Sequence, residues 1–119
     1  MYKKFEVWLD RIMEQQFPDD MIAICFNLYE SSAGHYFIEL VGTDHFDLED
    51  TGWIYDEVFD TSRTLLNLEY DLEWEDMLEK VVSTVKEYLQ YGTNATRLKA
   101  YQGIGAGFVE GDVEIIYSK

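Results

Sequence analysis

The chain is short of bases: nine Lys and Arg stand against 24 Asp and Glu in 119 residues, a formal net charge of −15. Such a deficit repels phosphate backbones and anionic membrane surfaces, so direct nucleic-acid binding is not expected, and it attracts basic proteins or cations. There is a single cysteine, Cys25, which excludes an internal disulfide. It lies in the apolar run MIAICFNLYE, where a small buried thiol suits a reducing compartment. No window approaches eighteen apolar residues, and MYKKFEVWLDRIMEQQF mixes polar with apolar residues where a signal peptide would be continuously apolar. The expectation is a soluble, cytoplasmic protein that does not enter a membrane. Repeats, low-complexity tracts and linkers are also lacking, so residues 1–119 are read as one domain.

Scarcity of histidine limits the chemistry further. His35 and His45 are the only two, and they lack the i, i+4 spacing of a helical zinc pair. Asp47-Leu48-Glu49-Asp50-Thr51-Gly52 offers acids and a glycine in the wrong register for a calcium loop. Paired carboxylates suited to glycoside chemistry cannot be singled out among so many acids. Gly103, Gly105, Gly107 and Gly111 resemble a phosphate loop only superficially, because a strand follows them and the neighbours are acidic. Glycines that permit close strand packing or a bulge are the better reading. No catalytic residue, metal site or cofactor is therefore expected.

What is present is apolar and patterned: 47% of residues are hydrophobic and 16% aromatic, enough for a folded globule despite the charge. Phe5, Trp8, Leu9, Ile12 and Met13 have the spacing of one helix face, which predicts a helix over residues 2–16, stopped by Pro18. MIAICFNLYE reads as a strand with Ile22, Ile24, Phe26 and Leu28 on one face. A turn at residues 31–34 joins it to HYFIELVG, where Tyr36, Ile38 and Leu40 share a face. TLLNLEYD predicts a third strand, with Leu66, Leu68 and Tyr70 together.

From Trp74 to Leu89 the apolar positions keep helical spacing, and Gly92 offers a stop. Glu73, Glu75 and Asp76 fall at the start of this helix, where its dipole favours negative charge, so those acids have a structural reason to exist. NATRLKAY can form a short helix, and Gly111-Asp112 suits a tight turn between GFV and VEIIY. The order predicts an α+β fold: an antiparallel sheet of four to five strands with two main helices in a single layer packed on it.

The acids are concentrated. Between Thr43 and Asp76 there are twelve acids and one base, Arg63. Within that window DHFDLEDTGWIYDEVFD, residues 44–60, holds seven acids, no base, and Phe46, Trp53, Tyr55 and Phe59. Protein interfaces combine aromatic anchors with a polar rim, so Asp47, Glu49, Asp50, Trp53, Tyr55, Asp56, Glu57 and Asp60 are the expected partner-binding residues, helped by Glu69 and Asp71. The competing structural reading puts Trp53 and Phe59 in the core, on a strand WIYDEVF whose wet face carries the acids.

The C-terminal half, WEDMLEKVVSTVKEYLQYG followed by GIGAGFVEGDVEIIYSK, is similar to the helix and "GFVDGD"-like hairpin of immunity proteins from bacterial polymorphic-toxin and contact-dependent inhibition systems. Small size and acidity fit the same resemblance. It implies an acidic immunity protein without catalysis, which binds a basic toxin domain, such as a nuclease, and occludes its active site. The alternatives are a nucleic-acid mimic or acidic adaptor for another basic protein, and an enzyme of unrecognised type that uses paired carboxylates.

Overall fold

A computed structural model describes residues 1–119. The elements run α1 (Tyr2–Ile12), β1 (Ala23–Ser32), β2 (His35–Thr43), a 3-10 turn (Thr51–Tyr55), β3 (Glu57–Asp60), β4 (Leu66–Glu69), α2 (Trp74–Tyr91), α3 (Ala95–Leu98), β5 (Gly103–Phe108) and β6 (Glu114–Ser118). No helix is long and apolar enough to cross a membrane.

α1 forms where the apolar spacing placed it, but it ends four residues sooner than expected. Beyond it, the Arg97 guanidinium donates to the carbonyl oxygens of Met13 and Gln15 and lies 4.8 Å from the Phe17 ring centroid. Carbonyls held by Arg97 need not continue the helical ladder, and Phe17 is free to turn into the core.

The sheet has six strands in the order β3-β2-β1-β5-β6, with β4 also paired to β2. β2 is long enough to serve two short strands on one edge, β3 at Val41–Thr43 and β4 at His35–Ile38. Thr61 bridges the gap between them. Its buried hydroxyl accepts from the Leu40 N–H at 2.8 Å and donates to the Leu40 carbonyl at 3.2 Å, standing in for a missing strand residue.

The expected all-antiparallel sheet is corrected in two respects. Beside the predicted strands there is β3, and β1 pairs with β5 in parallel, Ala23 opposite Gly103 through Leu28 opposite Phe108. The parallel pair follows from connectivity. After β4 the chain crosses the sheet through α2 and α3 and returns next to β1 in the same direction, as a crossover containing a helix permits. The C-terminal hairpin also differs, since Gly105 opposes Ile115 and Ala106 opposes Glu114, leaving residues 109–113 as a longer loop. Its turn is closed by Gly111 N–H donating to Phe108 O at 2.9 Å, and GIG belongs to β5.

All three helices pack on one face of the sheet. Ile24, Phe26, Leu28, Ile38, Leu40 and Ile104 meet Phe5, Leu9, Ile12, Val81, Val85 and Leu98 in one cluster of 24 buried residues. Each such side chain removed from water contributes roughly 1.5–3 kcal/mol, so this face dominates stability. A polar junction fastens the helices. The Tyr88 hydroxyl donates to Asp10, Asn94 Nδ2 donates to the same carboxylate at 3.2 Å, and the Asn94 N–H donates to the Tyr88 oxygen at 3.1 Å.

Candidate functional site

The opposite face of the sheet is half covered. β1 turns Ala23, Cys25, Asn27 and Tyr29 toward it, and β2 turns Phe37, Glu39, Val41 and Thr43. Over the β1/β5 half lies the connection from β2 to β3. Thr43 Oγ1 donates to His45 O at 2.8 Å, Asp47 Oδ1 accepts from Glu49 N–H at 2.8 Å, and Asp50 Oδ1 accepts from Gly52 N–H at 2.9 Å, capping the 3-10 turn. Asp44 N–H donates to Asp56 O at 3.1 Å and closes the excursion. The two turn bonds need short side chains with an acceptor, which accounts for Asp47 and Asp50.

Trp53 anchors this connection. It is 1% exposed, edge-on to Phe46 with ring centroids 5.0 Å apart, and packs with Ala23, Cys25, Ile54, Val113 and Ile115 in a second small core. Its indole N–H has no hydrogen-bond partner within the protein. Burial pushes the Cys25 thiol up to about 12, so it is a neutral packing group here.

β5 is built to receive these rings. A Cβ added to Gly103 would fall inside the Phe46 ring, and one added to Gly105 would meet Val113 Cγ1 at 2.8 Å and Trp53 at 3.5 Å. The alternate glycines of GIGAGF therefore form a flat floor under the aromatics.

The eight expected docking residues consequently separate. Trp53 is withdrawn from the docking face: it lies inward, because the sheet's second face offers it apolar contacts with Ala23, Cys25, Val113 and Ile115. The reading that put it in the core was right about burial, but it sits on a 3-10 turn, and only Glu57–Asp60 is strand. Phe59 packs against Phe17 with centroids 4.9 Å apart. Tyr55 points outward, 76% exposed. Asp47 and Asp50 serve local turns, while Glu49, Asp56 and Glu57 are exposed with no such bond.

On the uncovered half, four groups gather from three strands, β1, β2 and β3. Glu39 lies opposite Asn27, is 7% exposed, and accepts its one hydrogen bond from the Tyr29 hydroxyl at 2.7 Å. Burial, then the bond to Glu39, pushes the Tyr29 phenol up to about 12, which keeps it a donor. Glu57 and Asp60 on β3 face this same side, opposite Thr43 and Val41, because the register shift in the β2/β3 pair brings both round to it. Partial burial, then Asp60 and Glu39, raises the Glu57 pKa; bonds from Ser62 lower that of Asp60.

Tyr29 and Glu39 escaped the sequence reading, although the alternation that placed Ile24, Phe26 and Leu28 on one face implies Asn27 and Tyr29 on the other. No basic side chain lies within ion-pair distance of this group. Only Lys3–Glu6 at 3.3 Å and His35–Glu69 at 3.6 Å, the latter an ion pair only when His35 is protonated, bring an acid within ion-pair distance of a base, which leaves twenty-two acids without such a partner. No three His, Cys, Asp or Glu side chains converge as metal ligands would. The arrangement presents a negative field edged by Tyr29 and Phe37, with Tyr55 exposed on the connection that leads into β3. No family model, curated protein or solved structure matches the chain, so what this face does is argued from its own geometry and charge.

Proposed function

We propose that the protein is an acidic immunity protein, which binds a basic bacterial toxin domain, such as a nuclease, and occludes its active site. The observation that carries this reading is the unneutralised face: Glu39, Glu57 and Asp60 share one side of the sheet with no base in ion-pair contact, Arg63 near Asp60 being the one positive charge they feel. Like charges held together cost stability, and a cationic partner relieves that cost on binding. A nuclease presents a surface shaped for phosphates, and an acidic inhibitor is steered onto it quickly. Tyr55 and Tyr29, partly exposed among the acids, are the aromatic anchors of the surface, in place of Trp53.

The test is binding to a toxin domain encoded beside this protein's gene. A complex is expected whose dissociation constant rises at least about tenfold when Tyr55→Ala is combined with Asp56→Asn and Glu57→Gln, and rises again with salt. An undiminished, salt-independent complex would rule out the acidic face. The same complex with a basic protein of unrelated function would favour the adaptor or nucleic-acid-mimic reading instead.

A further inference from the structure

A second surface has the opposite sign. Between α1 and the start of β4 runs a groove of about 710 Å³. Lys3, Lys4 and Arg11 line it, with Val7 and Leu65 as apolar contacts, and no acid is among its lining residues. Three of the molecule's nine bases thus gather in one place on a chain of net charge −15. Lys3 also pairs with Glu6 at 3.3 Å; Lys4 and Arg11 form no ion pair. Trp8 fixes the groove wall by donating from Nε1 to Thr64 O at 2.6 Å.

The groove floor includes a free strand edge. β4 pairs only with β2. Tyr70 N–H donates to Gly34 O, so by antiparallel alternation Leu68 and Leu66 direct their backbone groups toward β2. The N–H and C=O of Asn67 therefore point away from the sheet, toward the groove that Asn67 helps to line.

We infer that this groove binds an extended acidic segment of a partner protein, which adds to the β4 edge at Asn67 while its carboxylates meet Lys4, Arg11 and Lys3. An unpaired edge offers main-chain bonds to any extended peptide, and the flanking charges choose among peptides. Val7 and Leu65 favour a peptide with apolar side chains over a nucleic-acid strand. A long polyanion would also meet the acidic remainder of the molecule, whereas a short peptide meets only the local positive field. This site is separate from the acidic face and stands or falls without it.

The experiment is an amide-resolved NMR titration of the full chain with three probes: a capped heptapeptide alternating Glu with Val, its Lys–Val counterpart, and a short single-stranded oligonucleotide. Shifts confined to residues 3–11 and 64–69 are expected with the Glu–Val peptide alone. Lys4→Glu with Arg11→Glu, both on exposed side chains, should weaken it by about tenfold, the loss of two rim charge pairs. N-methylation of alternate peptide nitrogens should weaken it similarly by blocking strand addition. The inference is overturned by no binding, by binding that survives the charge reversal or the N-methylation, or by equal shifts with the oligonucleotide. It is also overturned if the same amides shift when the protein alone is concentrated, which would assign the groove to a second copy of the chain.

Discussion

Glu39 is a carboxylate that the sheet has taken out of water and satisfied with one hydrogen bond, from Tyr29. Because that phenol is pushed up to about 12, it donates at every physiological pH. Tyr29→Phe should therefore cost about 1–2 kcal/mol, read as a lower urea midpoint with unchanged slope, and Glu39→Leu in the same background should recover much of it. An unmoved midpoint would show that water satisfies Glu39 instead. Glu57 makes the opposite kind of contribution. Its folded pKa lies above the ordinary 4.5, so the charged form is disfavoured by folding and the folded state takes up its proton first. As pH falls from about 7 toward 4.5 this residue adds stability. Asp60, lowered from 3.8, supplies stability above that value and loses it as pH falls through its folded pKa. Glu57→Gln should raise the neutral-pH Tm slightly and flatten its rise on mild acidification. A steeper rise in the variant would contradict the assignment.

At the scale of elements, β5 and the connection over it were made for each other. Gly103 and Gly105 leave room for Phe46 and Trp53, and those rings close the second face of the sheet. Gly103→Ala should destabilise the protein by about 1–3 kcal/mol, the usual result of overpacking. Phe46→Leu should cost less in the Gly103→Ala background than in the natural one, because it vacates the space the new methyl needs. Additive losses in this double-mutant cycle would mean that the glycine serves another purpose. These glycines were legible as packing glycines, since a strand follows them and no helix does. What they pack against was not, because Phe46 lies 57 positions away and reaches them only when β1 and β5 pair in parallel.

At the scale of the whole molecule, twenty-two unpaired acids repel one another across a body with a radius of gyration of 13.2 Å. Salt screens such repulsion over about 10 Å at 0.1 M. The Tm should rise by a few degrees between roughly 0.02 and 0.5 M NaCl. Over the same range a complex with a basic partner should weaken. That opposite sign separates internal repulsion from docking, and a Tm that falls with salt would mean that unnoticed attractive pairs outweigh the repulsion.

Local periodicity, a property of neighbouring residues, determined both main helices, three strands and the helix-covered face without reference to the rest of the chain. Composition likewise determined that the surface is acidic, and that the acids cluster between Thr43 and Asp76. Only the tertiary structure decided the parallel partnership of β1 with β5, because strand neighbours depend on where a crossover returns, and periodicity is blind to that. The same was true of the acidic stretch at 44–60. Its pattern of acids and aromatics could not distinguish an inward Trp53 from an outward one, since a 3-10 turn has no long period to read. Pairing of β1 with β5 and of β2 with β3 settled both questions. It gave Trp53 a glycine floor to lie on, and it left Tyr55 at the surface and Glu57 near Glu39, which the sequence had placed far from it.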